Sequence, residues 1–371
     1  MSAVPATKPS DALTALIMAG GTGGHVYPAL TVAERLRDEG WQVVWLGTRR
    51  GLEARVVPQH QIDLWFVRVG GLRGKGWLSW ALAPFKLLLA VMQCLAIVRR
   101  IGPKVVLGMG GFAAGPGGLA AWLSGKPLLI HEQNAIPGLT NRLLARLAEN
   151  VMEAFPGSFP EQLQALPTGN PVRQRIIDLS PPGERFAGRG NEPLRLLVLG
   201  GSQGARALNE VVPQALADLE PVGSVEVHHQ VGPDQLDSTR RCYRAAAVEA
   251  IELTPFIEDM AAAYGWADLV LCRAGAMTIA ELATAGVASI LVPFPFAADD
   301  HQTANARYLA ARGAAILVPQ SDLTRARLSA LLGELSQARG RLLEMAKAAR
   351  ALAVPDATAR VVARCREVVY G

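Results

Sequence analysis

The sequence predicts an α/β protein built from two doubly wound domains, and three observations lead there. A strand pattern, a glycine-rich turn and a helix pattern occur in that order twice. Residues 13–19 run into Gly20-Gly21-Thr22-Gly23-Gly24-His25, and residues 194–199 run into Gly200-Gly201-Ser202-Gln203-Gly204. The other apolar runs are short and continuous, as parallel strands covered on both faces must be. A chain of 371 residues is long for one domain and natural for two, and with 50% hydrophobic residues each half can fill a core.

Taken in order, residues 1–11 read as a disordered tail. After the first turn, strands are predicted at 43–47, 105–108 and 128–130, with helix patterns between them. The first domain spans 12–172 and closes near Gly169-Asn170-Pro171-Val172. A second domain, 173–354, opens with the polar, Gly/Pro-rich stretch 180–193 and repeats the style at 225–230, 269–272 and 289–293. Val354-Pro355-Asp356 is a helix-start signal. The amphipathic pattern behind it, within 355–371, is expected to pack back onto the first domain.

Composition narrows the partners. Lys and Arg number 37 against 32 Asp and Glu, a formal charge of +5, with no basic block of the kind that tracks a phosphate backbone. Nucleic acid is therefore not expected. The surplus suits an anionic small substrate or an anionic membrane surface. Cys94, Cys242, Cys272 and Cys365 form no C-x-x-C pair and read as free thiols, all but Cys242 in apolar patterns. The N-terminus lacks a basic segment followed by a cleavable apolar run.

Residues 77–98 imitate a membrane span, but Pro84 and Lys86 interrupt them. The clean part, 87–98, is far shorter than the roughly 20 apolar residues a span needs, and it is expected to be a buried core helix. Trp77, Leu78, Trp80, Leu82 and Phe85 stand near Arg73, Lys75 and Lys86. Aromatics beside cations suit an interfacial membrane contact as well as they suit the cap of a core.

A glycine turn between strand and helix brings backbone N–H groups and the positive end of a helix dipole to one point, which favours phosphate. The first turn fails the dinucleotide fingerprint, because its third glycine position is Val26 and the second strand ends in Thr48-Arg49-Arg50 with no acidic residue. Neither turn is followed by G-K-[ST]. The second matches G-x-S-x-G, which would make Ser202 a hydrolase nucleophile with His301 as base. Further glycine-rich helix starts lie at 108–118 and at Gly275-Ala276-Met277-Thr278. After the latter, Ile279, Leu282 and Ala283 form a buried stripe, which turns Glu281 away from the core. Its carboxylate there suits either a sugar diol or the helix dipole. His25, at a helix start, is a general base or a capping residue. His131-Glu132-Gln133-Asn134 and Asp299-Asp300-His301-Gln302 follow strands at the carboxyl ends where open α/β sheets bind ligands. The acidic pair is a metal ligand set or, more simply, a solvated turn.

Together GGTGGHVYPAL (20–30), GMGGFAAGPGGLAA (108–121), HEQNAIPGLTN (131–141), GNPVR (169–173), GGSQGAR (200–206), DMAAAYGWADLVLCRAGAMTIAE (259–281) and DDHQTANA (299–306) resemble the MurG family of bacterial glycosyltransferases, in order and over nearly the whole chain. The resemblance implies a GT-B fold, two Rossmann-like domains facing across a cleft. It implies inverting transfer of GlcNAc from UDP-GlcNAc to the C4 hydroxyl of undecaprenyl-linked lipid I, making lipid II at the cytoplasmic face of the inner membrane, with cell-wall assembly partners. Helix N-termini and arginine would hold the departing diphosphate without a bound metal, so no cofactor is expected. In that reaction His25 is the expected base for the C4 hydroxyl, or orients it, and the donor residues are carried over by motif. Donor contacts fall on Thr22, Gly23, Gly24, Asn134, Arg173, Ser202, Ile257, Ala276, Met277, Thr278, Ile279, Ala280, Glu281 and Gln302. In that carry-over Ile257 meets the uracil, Glu281 the ribose hydroxyls and Gln302 the GlcNAc hydroxyls. Ala274 and Ala280 stand where some members carry serine. A hydrolase accounts for one glycine turn, and a non-catalytic nucleotide-binding module accounts for the turns but leaves His25 idle.

Overall fold

Leucine- and valine-rich runs too short for helices form one parallel sheet in each half of the chain. The structure, a computed structural model, describes residues 13–70, 82–189, 192–201, 204–219, 224–249 and 251–371. The expected tail 1–11, the residues Arg73, Lys75, Trp77, Leu78 and Trp80, and Ser202 with Gln203 lie outside the described residues. The chain divides into residues 1–171 with 356–371, and residues 172–355.

In the first unit Thr14–Met18 (β1), Gln42–Gly47 (β2), Asp63–Phe66 (β3), Val105–Gly108 (β4), Leu128–Glu132 (β5), Asn150–Glu153 (β6) and Leu166–Pro167 (β7) pair in the order β3-β2-β1-β4-β5-β6-β7. Every pairing is parallel, with Leu16 beside Val44 on one side and Val106 on the other. The order reverses between β1 and β4, and at that switch point the carboxyl ends of neighbouring strands open a crevice. Gly23–Asp38 (α1) covers one face of the sheet. The C-terminal helix Ala357–Tyr370 joins it there, burying Val361, Val362 and Cys365 among Val26, Ala29 and Trp45. Ala83–Ile101 (α2), Ala114–Leu123 (α3) and Leu139–Leu144 (α4) cover the other face, through Ala90, Cys94, Val98, Ala120, Ala121 and Leu144.

Residues 87–98 do not form the buried core helix expected of them. Only Ala90, Val91, Cys94 and Val98 of α2 are buried, while Phe85, Leu87, Leu88, Leu89 and Met92 are exposed. The reason is geometric: one helix against one sheet face covers a single stripe, and this helix is apolar on the opposite stripe too. Burial of Cys94 pushes its thiol up to about 12, as does that of Cys365.

In the second unit Leu194–Leu199 (β8), Val225–Gln230 (β9), Ile251–Thr254 (β10), Leu269–Cys272 (β11), Ala288–Leu291 (β12) and Ala315–Leu317 (β13) pair in parallel as β10-β9-β8-β11-β12-β13. The switch point here lies between β8 and β11. Arg206–Leu216 (α5) follows the second glycine turn, Met260–Trp266 (α6) precedes β11, Ala276–Ala285 (α7) follows it, and His301–Ala310 (α8) lies between β12 and β13. Asp268, 1% exposed, ties the unit together. It accepts hydrogen bonds from Arg189 at 2.8 Å, Arg339 at 2.9 Å and the Arg195 N–H at 3.1 Å.

Candidate functional site

The first turn is held by its neighbours. Thr22, in extended conformation, caps α1 with its backbone alone, so the amides of Gly23 and Gly24 have no partner inside the helix. The imidazole of His25 has Nδ1 3.5 Å from Thr22 Oγ1. Its ring packs against the turn after β4: a Cβ on Gly110 would stand 2.5 Å from His25 Cδ2, and one on Gly111 would stand 2.5 Å from the Gly20 carbonyl oxygen. Both glycines have left-handed φ, 94° and 87°. The glycine-rich stretch after β4 therefore seats His25 and the first turn, a packing role beside the phosphate cradle expected of it.

Behind this turn lies a residue the sequence reading passed over. Glu53 is fully buried, and its carboxylate accepts hydrogen bonds from Gly21 N–H (2.9 Å), Thr48 N–H (2.8 Å) and Thr48 Oγ1 (2.8 Å). Nothing in its sequence setting, a charged residue among Arg49, Arg50 and Arg55, signals burial.

The segment after β5 is a second buried polar network. His131 donates from Nε2 to the Gly169 carbonyl at 2.8 Å, and burial lowers its basicity, which keeps the ring neutral. Glu132, 2% exposed, accepts from the Asn134 N–H and Nδ2, the Gly138 N–H and Asn141 Nδ2. Asn134 is thus presented by a carboxylate that folds its own loop. His131, which shares the motif, serves the scaffold.

In the second unit Gly275 caps α7 in extended conformation without a side-chain bond. Ala276 and Ile279 are buried, so what they and Met277 and Thr278 offer a ligand is the amides of a first helical turn. Glu281 is the sixth residue of this helix, which excludes the dipole-compensation reading: no acidic residue lies in the first turn. Its Oε1 accepts from Arg173 Nη2 at 2.9 Å and its Oε2 accepts from the Tyr264 hydroxyl at 3.0 Å. Tyr264 is fully buried. Burial, and then the Glu281 charge, hold its phenol far above the ordinary range, so it acts as a donor. The result is a carboxylate, 13% exposed, oriented from beneath by a phenol and covered by a half-exposed guanidinium. Ile257 follows β10 and is buried, 8% exposed. Gln302 accepts the Phe294 N–H at its Oε1, 2.9 Å away. Asp299 and Asp300 both have left-handed φ, and Asp300 accepts from the Thr303 hydroxyl at 2.6 Å. Among the described residues no three His, Cys, Asp or Glu side chains gather as a metal site.

The structure brings together Thr22, Gly23, Gly24 and His25 in the first unit, and Arg173 with Glu281 in the second. Sequence reasoning missed Glu53, Glu132 as an organiser, and Tyr264. The last sits in an Ala-rich helical pattern that reads as core.

The model of the Glycosyltransferase family 28 N-terminal domain matches residues 15–153, and that of the Glycosyltransferase family 28 C-terminal domain matches residues 195–361. A protein of Nitrosococcus oceani is 57% identical over 360 residues, 97% of this chain and 100% of its own length. One of Alkalilimnicola ehrlichii is 58% identical over 352 residues, 95% of this chain and 98% of its own length. Both are named UDP-N-acetylglucosamine--N-acetylmuramyl-(pentapeptide) pyrophosphoryl-undecaprenol N-acetylglucosamine transferase. Among solved structures, MurG of Acinetobacter baumannii is 44% identical with a TM-score of 0.81, over 96% of this chain and 99% of that one. The glycotransferase of kitacinnamycin, 17% identical with a TM-score of 0.67 over 95% of this chain and 99% of that one, shares the fold. With two parallel doubly wound units and these matches, the fold is GT-B.

Proposed function

We infer that this chain, which belongs to glycosyltransferase family 28 and within it to the MurG family, transfers N-acetylglucosamine from UDP-GlcNAc to N-acetylmuramyl-(pentapeptide) pyrophosphoryl-undecaprenol, making lipid II. It is a UDP-sugar glycosyltransferase. The observation that carries the reading is Glu281: a carboxylate at the carboxyl end of the β8/β11 switch point, fixed by Tyr264 and reached by Arg173, is shaped to accept two hydrogen bonds from a ribose diol.

The second unit holds the donor. The first turn of α7, the turn after β8 and Arg173 take the diphosphate, Ile257 borders the base and Gln302 meets the sugar. The first unit holds the acceptor, with Thr22, Gly23, Gly24 and Asn134 contributing to the donor sugar. The acceptor C4 oxygen attacks C1 of GlcNAc as the bond to UDP breaks, with inversion. His25 takes the hydroxyl proton, and UDP leaves with its charge met by backbone amides and arginine. This chemistry calls for no divalent ion.

Membrane attachment is peripheral, at the cytoplasmic face. Among the described residues no helix is long and apolar enough to cross a membrane. The neighbouring helices α2, α3 and α4 expose Phe85, Leu88, Met92, Trp122, Leu123, Leu139 and Leu143, with Lys86 and Arg142 exposed on the same helices. An apolar surface edged by cations suits anionic lipid.

Transfer of labelled GlcNAc from UDP-GlcNAc to a lipid I analogue tests the reaction. Product formation that persists in EDTA is expected. Release of free GlcNAc without acceptor-linked product would instead make the chain a hydrolase.

A further inference from the structure

The two glycine turns share a left-handed second glycine and differ in the buried group behind it. Gly21 and Gly201 are the second glycines of their turns, and both have left-handed φ, 90° and 82°. At each, a buried side chain from elsewhere in the unit takes the N–H. Glu53 Oε2 lies 2.9 Å from Gly21 N, and Gln230 Oε1 lies 3.1 Å from Gly201 N. Gln230, 4% exposed, is an amide, and its Nε2 donates to the carbonyls of Gly201 (3.0 Å) and Pro255 (3.1 Å). Glu53 accepts three hydrogen bonds and donates none, and its partners Gly21 and Thr48 are uncharged. Its place is built for it: a Cβ on Gly20, Gly47 or Gly51 would come within 2.5, 2.5 or 1.9 Å of its side-chain atoms.

We propose that these two positioning residues assign the ligands of the turns. Glu53 sets a negative charge behind the turn that leads into His25, which bars a phosphate and leaves that turn to an uncharged hydroxyl. Gln230 braces the equivalent amide without charge and leaves the second turn open to the diphosphate of a sugar nucleotide. Neither side chain needs to touch substrate. A carboxylate and a phosphate repel strongly in a partly desolvated site, whereas an amide of the same shape adds no net charge. The inference rests on the reading of the chain as a UDP-sugar transferase.

Exchange of the two groups in the full chain tests it. Each variant is first checked for an intact melting transition. Gln230→Glu should weaken UDP binding, measured by calorimetry, about tenfold or more, and Gln230→Met, which loses the brace without adding charge, should lose clearly less. Glu53→Gln keeps the shape and an acceptor oxygen. It should bind UDP as the unaltered chain does, yet transfer should become about tenfold more sensitive to inorganic pyrophosphate, competitively with the acceptor. Equal losses in Gln230→Glu and Gln230→Met, or a Glu53→Gln enzyme no more sensitive to pyrophosphate, would overturn the proposal. If Gln230→Glu does not fold, the Glu53→Gln arm decides alone. An unaltered chain that bound no UDP and transferred no GlcNAc would overturn the reading of function instead.

Discussion

In the proposed reaction two side chains carry the chemistry, and each rests on a neighbour that does not react. His25 rests on Gly110. Replacement by alanine should leave the fold intact and lower kcat by about 10²–10⁴, the usual worth of a general base; near-normal turnover in a steady-state assay would remove it from that role. Glu281 is aimed by Tyr264. Tyr264→Phe removes one hydrogen bond to a charged group, worth roughly 1.5–3 kcal/mol. It should raise the KM for UDP-GlcNAc severalfold with kcat little changed, while Glu281→Ala raises it further. His229 shows the same kind of placement in a purely structural role. It is buried between Asn209 and the Tyr243 hydroxyl, and burial lowers its pKa to about 3 from 6.5. The native ring stays neutral while the unfolded chain takes up a proton below pH 6.5. This contribution is whole above that pH and is lost as pH falls toward about 3, by about 1.4 kcal/mol per unit at its steepest. Melting curves at pH 7 and pH 5 should show a smaller difference for His229→Gln than for the unaltered chain.

At the scale of elements, the site depends on turns that approach one another more closely than side chains permit. The turn after β4 lies on the turn after β1, and Gly111 supplies both the left-handed φ and the missing Cβ. Gly111→Ala would have to push back the Gly20 backbone, so a loss of about 1–3 kcal/mol is expected, with activity falling alongside stability because the displaced segment leads into His25. Chemical denaturation with parallel kinetics checks both. The helices follow a simpler rule. Arg185 lies across the C-terminal end of α7, donating to the carbonyls of Ala285 and Gly286, where a cation completes the dipole.

At the scale of the molecule, the two units differ in what they leave uncovered. The first exposes the apolar residues of α2, α3 and α4 on the side of its sheet opposite α1 and the C-terminal helix. Serine at Phe85, Leu88 and Met92 should reduce sedimentation with anionic vesicles several-fold and leave UDP binding unchanged, because none of the three is a core residue. Unchanged vesicle binding would place the membrane contact elsewhere.

How far the sequence could be read follows from the physics of each element. Strands β1, β2, β4, β5, β8, β11 and β12 are legible because a central parallel strand is covered on both faces and is mostly apolar, whereas in β9 only Val225 and Val227 carry that signal. Strands β3 and β10 are not, because edge positions admit Asp63 and Glu252, and β7 has only two residues. The glycine turns, His25 and Glu281 stand out because the chemistry proposed for them needs those residue types at those places along the chain. By itself, then, the sequence determined the doubled α/β architecture, the glycine turns between strand and helix, and the family. Tertiary structure alone decided that Glu53 and Gln230 stand behind the second glycines of the two turns, that Tyr264 aims Glu281, that His131 serves the scaffold and that α2 is half uncovered. Those facts depend on which distant groups meet and on which faces find a partner. Neither is written in local pattern, because burial and hydrogen bonding are properties of the packed chain.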